Sequence, residues 1–295
     1  MKRTIGKTAP WATGVVAAGV GLTLLTATQP RARAAAAAGD PPAGAKDTLG
    51  YQDTPMLPGG KWHVHDGLRP QPKVITPGTS STQDAPGMPP SDAIVLFDGT
   101  PASLASNWAM DGNNDAPAWT IANGAMTAAK GGIHTRQPFG DMQLHVEWRT
   151  PTTIRGNGQG RGNSGVFMMS RYELQVLDNY NNPTYPDGQA GAIYGQSPPF
   201  VNASRAPGQW QTYDVLWTAP RFNADKTVAS PAYETVIHNG VVVQNHTALI
   251  GETGHRILAT YKGHNPTEPI ALQFHGDPIS YRNIWVRPLP PPMTP

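Results

Sequence analysis

The 295-residue chain contains no cysteine. That excludes disulfides, a thiol nucleophile and a cysteine-linked lipid anchor, so any fold held outside the cytoplasm rests on its core alone. Charge is also scarce. Only 14% of residues are charged, and 22 Lys and Arg stand against 20 Asp and Glu, for a net charge of +2. No block of basic residues occurs, which argues against nucleic acid as a partner. Beyond the N-terminus there is no sustained 3.6-residue apolar period, so helix is rare; 103–110 has room for one short turn. No GxSxG elbow is present. The glycine-rich stretch from Arg155 to Gly162 lacks the Lys-Ser/Thr pair of a phosphate loop, and reads instead as a loop at the mouth of a site.

What is abundant is turn chemistry: 32 glycines and 31 prolines. Strand-like runs separated by turn signals recur from Ala93 to Leu289 and point to an all-β sandwich. Three runs are diagnostic because they alternate with period two. In 141–150, Met142, Leu144, Val146 and Trp148 are apolar, against Gln143, His145, Glu147 and Arg149. In 172–178, Tyr172, Leu174 and Val176 oppose Glu173 and Gln175. In 270–275, Ile270, Leu272 and Phe274 oppose Gln273 and His275. Gly276-Asp277-Pro278 then turns the chain into a strand bearing Arg282. The shared phase predicts one polar, concave sheet face carrying Gln143, Glu147, Glu173, Gln175, Gln273 and His275, a surface suited to carbohydrate. Of Trp108, Trp119, Trp210, Trp217 and Trp285, one or two are expected to stack on sugar and the rest to pack in the core. His255 and His264 lie in a glycine-rich stretch with no pattern that assigns a role.

The ends are different material. Lys2, Arg3 and Lys7 precede an apolar run over 12–27, and Ala32-Arg33-Ala34 offers a small-residue cleavage site. Residues 1–38 read as a secretory signal, placing the mature protein in the periplasm or outside the cell; Lys2-Arg3 is not a twin-arginine pair, which favours Sec export. The run is short of the ~20 residues of a membrane span, so membrane contact is expected only through this segment if uncleaved. Residues 39–92 hold ten prolines from Pro41 to Pro90 and read as an extended leader. Its island Lys61-Trp62-His63-Val64-His65-Asp66 has two histidines at metal-ligand spacing, but the simpler reading has Trp62 and Val64 docking the leader. Residues 290–295 form a proline-rich tail.

Taken in order, several motifs carry a resemblance: Leu96-Phe97-Asp98-Gly99-Thr100, Trp119 with Gly124, Phe139-Gly140-Asp141, Glu147-Trp148-Arg149, Asn163-Ser164-Gly165-Val166-Phe167, Tyr172 to Asp178, Gly191 to Tyr194, Gly208-Gln209-Trp210, Asn239-Gly240, Leu272 to Gly276, and Arg282-Asn283-Ile284. From Ala93 to Leu289 the chain resembles the 3-keto-disaccharide hydrolase domain family. The resemblance implies a concanavalin-like jelly-roll β-sandwich acting on glycosides whose C3 hydroxyl has been oxidised to a ketone, often with a divalent metal.

A C3 ketone acidifies the C2 hydrogen, so a base at C2 and donors or a cation at O3 suffice to expel the C1 substituent. On this basis Glu173 and His275 are the expected ligands of a Mn, Zn or Ca ion, and Glu147 is the expected base or third ligand. Asn163, Ser164, Gln175, Asp178, Gln273 and Arg282 are expected to orient the sugar. Which carboxylate is the base stays open. The competing reading is a non-catalytic, lectin-like sandwich using the same face.

Overall fold

The computed structural model describes residues 49–290; the expected signal segment, the start of the leader and residues 291–295 lie outside them. Two antiparallel sheets pack face to face. The larger runs in the order β13 (Val241–Ala248), β12 (Tyr233–His238), β9 (Gln211–Thr218), β6 (Met142–Arg149), β15 (Ser280–Pro288), β4 (Ala125–Thr127), β3 (Thr120–Ala122), with β1 (Ile94–Phe97) also paired to β15. The smaller runs β2 (Trp108–Met110), β5 (Ile133–Phe139), β14 (Glu268–Leu272), β7 (Ser164–Met168), β8 (Tyr172–Val176). A two-stranded ribbon, β10 (Arg221–Phe222) with β11 (Val228–Ser230), stands apart. This is the all-β sandwich that the strand periods predict.

The alternating residues close the core as expected. Leu144, Val146 and Trp148 of β6 meet Val166 and Met168 of β7 and Leu174 and Val176 of β8, all fully buried. Each such side chain stabilises the fold by roughly 1.5–3 kcal/mol. Turn chemistry fixes the register. Asn239 and Gly240 take φ of 53° and 83°, the left-handed pair that matches a hairpin's twist, and join β12 to β13. Helix α1 (Pro101–Asn107) is longer than the expected single turn and starts earlier. Thr100 caps it by accepting from Ser103 N at 3.2 Å, with Pro101 in the first turn, and 108–110 form β2 instead.

Two features decide where the polar residues go. First, the Gly276-Asp277-Pro278 turn does not join neighbours: β14 belongs to the smaller sheet and β15 to the larger. Second, β15 carries a bulge, its pairing with β6 shifting between Arg282 and Trp285, with Asn283 at φ 47°. The extra residue puts Arg282 and Asn283 on the same outer face.

The leader is an integral part of the packing. Its 79–88 segment folds on itself (Thr79 N to Met88 O, 2.9 Å; Thr82 N to Ala85 O, 2.9 Å) and lies on the outer face of the larger sheet. There Gln83 exchanges two hydrogen bonds with the Trp210 backbone, at 2.9 and 2.7 Å. Asp92 receives both Arg287 nitrogens at 2.8 Å. The 61–66 island is held within the leader itself. It closes a small hairpin with 51–57 through Tyr51 N to His65 O and Val64 N to Pro55 O, while His63 Nδ1 is held at 2.5 Å by the Thr54 carbonyl. The hydrogen bonds that fasten the leader to the sandwich come from Ser81–Gln83 and Asp92.

Candidate functional site

Strand β8 alternates polar and apolar residues, yet all five of its residues are buried. The apolar half faces the core. The polar half is buried because a loop segment pairs along the strand's free edge and loop side chains, Gln159, Tyr185, Tyr194 and His255, stand over it. Residues 191–194 run beside β8, with Gly191 N donating to Gln175 O (3.0 Å) and Tyr194 N to Glu173 O (3.1 Å), while Glu173 N donates to Thr253 Oγ1 (3.0 Å). Under this roof is a cavity of about 390 Å³ lined by Glu173, Gln175, Gln273, Asn163, His275 and Gln159, with Tyr185, Tyr194 and His255 on the roof side.

Glu173 is the only carboxylate among the cavity's lining residues. Burial pushes its carboxyl up to about 8, because a charge removed from water is penalised. Room for that carboxylate comes from Gly165, the residue opposite Gln175 on β7; a Cβ there would sit 2.4 Å from Glu173 Oε1. With its amide turned so that Nε2 faces Glu173, Gln175 donates to Glu173 Oε1 (3.1 Å) and to the Ser164 carbonyl (3.0 Å). In that orientation the Gln175 side-chain oxygen faces the Gln159 amide at 2.9 Å. Asn163 is fixed by Asp277, whose Oδ2 accepts from its backbone N at 2.9 Å, and its own Nδ2 donates to Gln159 O at 2.8 Å. Gln273 Oε1 is buried and has no partner, an acceptor that a ligand hydroxyl would satisfy. On the roof, Tyr194 OH lies 2.9 Å from His255 Nδ1 and 2.7 Å from Tyr185 OH.

The structure therefore brings together Glu173, Gln175, Gln273, His275 and Asn163, and separates the other expected residues from them. Ser164 points between the sheets, its hydroxyl bonded to Tyr281 OH at 2.6 Å and to Gln273 O at 2.5 Å; it supports the core and cannot orient a sugar. Asp178 makes an ion pair with Arg161 (2.8 Å) in a neighbouring loop. Glu147 and Arg282, with Gln143, lie on the outer face of the other sheet. The single polar face predicted by their phase is thus two faces on opposite sides of the sandwich.

On that second face Glu147 is fully buried beneath the leader. It accepts from Arg282 Nε (2.7 Å), Asn283 Nδ2 (2.7 Å) and Ser81 Oγ (2.5 Å). Burial opposes its charge, but the hydrogen bonds from His145, Ser81, Asn283 and Arg282 outweigh it and hold the carboxyl at about 2. His145 likewise loses to burial and gains more from Asp214 (2.6 Å) and Glu147, reaching about 9. The Arg149 and Arg282 guanidiniums stand 4.4 and 4.3 Å from the Trp210 ring, and Trp285 stacks on His145. Trp108, Trp119 and Trp217 are core. No tryptophan lines the Glu173 cavity.

A divalent metal fits this cavity poorly. Among the described residues no three His, Cys, Asp or Glu side chains are placed to hold one ion. Glu173 and His275 line the same cavity, but the Nδ1 of His255, the other imidazole there, is taken by Tyr194. Sequence reasoning missed Gln159, Tyr185, Tyr194 and His255. All lie in loops with no period to read, although Tyr194 ends one of the quoted motifs.

The fold is a concanavalin-type antiparallel sandwich whose smaller sheet carries a roofed carboxylate–amide cavity. The chain belongs to the family of 3-keto-alpha-glucoside-1,2-lyase-like domains, whose sequence profile matches residues 92–287. It is 23% identical over 241 residues to a 3-keto-disaccharide hydrolase of Bacteroides thetaiotaomicron, covering 66% of this chain and 78% of that one. A solved structure from Parabacteroides distasonis, provisionally described as a glycosyl hydrolase, is 45% identical with a TM-score of 0.71, covering 80% of this chain and all of that one. Its share of this chain exceeds residues 92–287, so the similarity reaches beyond the family domain.

Proposed function

We propose that this chain is an exported enzyme that cleaves 3-keto-glycosides by proton abstraction at C2, with Glu173 as the base. The observation that carries the reading is the cavity's one carboxyl, buried and held near 8, beside the unsatisfied Gln273 Oε1 acceptor in a domain of this family. A general base works best when its pKa lies near the working pH. A carboxylate at about 2, such as Glu147, would be too weak a base for a carbon acid.

In this reaction the ionised Glu173 takes the C2 proton, and the C–H electrons enter an enolate across C2 and C3. Collapse of the enolate restores the C3 ketone, forms a C1–C2 double bond and breaks the bond from C1 to the leaving oxygen, which takes a proton. Water adding across C1–C2 then gives net hydrolysis. Negative charge develops on O3, and the pocket offers amide donors from Gln273 and Asn163 and the His275 ring to receive it. Gln273 Oε1 is suited to a sugar hydroxyl. No step is routed through a metal, because the donor set is incomplete. Export is supported by the basic N-terminus ahead of the apolar run 12–27.

The reading is tested by supplying a 3-keto-glucoside and its unoxidised parent to the wild-type protein and to Glu173→Gln. Release of the aglycone from the keto form alone, and its loss by a factor of about a thousand or more in Glu173→Gln, is expected. Binding of both sugars without turnover would make the protein a lectin-like module instead.

A further inference from the structure

The Glu173 cavity does not end at the sugar. A second cavity of about 450 Å³ adjoins it, and Tyr185, Tyr194, Gly254 and His255 line both. Its far wall adds Ile257 and Arg256. The character changes across the shared residues. Beyond the shared rings the first cavity is lined by carboxyl, amide and imidazole groups; the second loses the amides and adds Ile257 with the opposed charges of Asp187 and Arg256. Tyr194 and His255 lie nearly parallel, their centroids 6.5 Å apart, and Tyr185 packs against Tyr194 at 6.3 Å. Ile257 is 63% exposed and Tyr185 39%, so apolar surface is left uncovered at this place, next to the reacting groups.

Glycines hold this wall in position. A Cβ on Gly188 would lie 2.1 Å from Tyr185 Cε2, and one on Gly254 would lie 2.5 Å from Ile257 Cδ1. The Tyr185 ring and the Ile257 side chain therefore rest directly on backbone. Hydrogen bonds linking Tyr185, Tyr194 and His255 fix the ring directions. An aromatic slot built this way is prepared for a flat guest before it arrives.

The reaction supplies the guest's identity. The leaving oxygen must take a proton as the C1–O bond breaks, and Tyr194 OH with the His255 ring stand at the junction of the two cavities. The cavity on the other flank of Glu173, lined by Phe167 and Phe274, has no such hydroxyl–imidazole pair. Asp111, the ionisable group there, is engaged with His134 at 3.0 Å. Asp187 and Arg256 line the aromatic cavity with opposite charge, which favours a neutral guest.

We infer that the Tyr185–Tyr194–Ile257 cavity is the aglycone subsite, and that the enzyme's substrates are 3-keto-glycosides bearing a neutral aromatic aglycone. This rests on the proposed reaction for the word aglycone, but the preference for an aromatic group at this place does not. Two measurements on the full chain separate them. The first is calorimetric or NMR-detected binding of unoxidised phenyl glucoside against methyl glucoside. The second is turnover of the two corresponding 3-keto-glucosides. The test variant is Ile257→Asn, an exposed residue outside the proton-transfer groups.

Wild type is expected to bind the phenyl compound about tenfold more tightly, a difference of ~1.4 kcal/mol, and Ile257→Asn to lose most of that preference. In turnover, Ile257→Asn should lower kcat/KM several-fold for the phenyl substrate and leave the methyl substrate unchanged. Equal binding of phenyl and methyl glucosides by wild type, or an equal loss on both substrates in the variant, overturns the inference. A binding preference that persists while wild type turns over neither keto substrate supports the aromatic subsite and contradicts the reaction.

Discussion

Arg282 Nε donates to Glu147 Oε2 at 2.7 Å, and the pair is almost completely buried, closed over by Ser81 and Thr82 of the leader. It sits on the face of the sandwich opposite Glu173. Removing one partner of a buried ion pair leaves an uncompensated charge and costs about 3–5 kcal/mol. Glu147→Ala should therefore lower the free energy of unfolding by that order, read by urea denaturation, while the molecules that remain folded keep their activity. Wild-type stability with lost activity would instead return Glu147 to the reaction.

The pH dependence follows from groups moved in opposite directions. Burial raises both Glu173 and Glu234 to about 8. Glu234 faces the core from β12, and neither of its carboxyl oxygens has a partner. A carboxyl whose pKa is raised on folding favours the fold below its unfolded value of about 4.5. That contribution is lost as pH climbs toward 8, with a slope of up to ~1.4 kcal/mol per pH unit per group. His145, raised to about 9, adds the same sign between 6.5 and 9. Glu147, lowered to about 2, acts oppositely and withdraws stability only below pH 4.5. Stability should peak near pH 4.5 and fall from there toward pH 9. Glu234→Gln should flatten the decline between 4.5 and 8; an unchanged slope would contradict this account. Activity runs the other way, with kcat/KM rising through pH 8 as Glu173 ionises.

The strands were readable because side-chain direction repeats every two residues, and a mixed polar and apolar segment must choose a face. Period reports inward or outward. It does not report which sheet a strand joins. β6 and β8 look alike in sequence, and β14 leads into β15 through only seven residues (273–279), yet each pair is split between the two sheets. Hence Glu173, Gln175, Gln273 and His275 were found together, while Glu147 and Arg282 were placed with them wrongly. Ser164 failed for a related reason: its hydroxyl is buried inward because Tyr281 OH and the Gln273 carbonyl satisfy it, a pairing across 117 residues that no local pattern announces. Tyr194 and His255 come from loops whose positions depend on long-range bonds to β8 and to each other.

Chelation separates proton-transfer chemistry from metal chemistry. With no three ligand-type side chains converging among the described residues, exhaustive chelation followed by dialysis should leave most of the activity on a 3-keto-glucoside. Complete loss, restored by one added divalent ion, would show that the substrate's own oxygens complete a metal shell around Glu173 and His275.

The central claim is that Glu173 removes the C2 hydrogen, and isotope exchange addresses it directly. A 3-keto-glucoside is incubated with enzyme in deuterated water, and deuterium at C2 of the remaining substrate and of the product is followed by NMR or mass spectrometry. The account predicts deuterium at C2 with the wild-type protein, and exchange reduced to the uncatalysed rate in Glu173→Gln although that variant still binds the sugar. Cleavage by wild type with the C2 hydrogen fully retained, or exchange undiminished in Glu173→Gln, would contradict it.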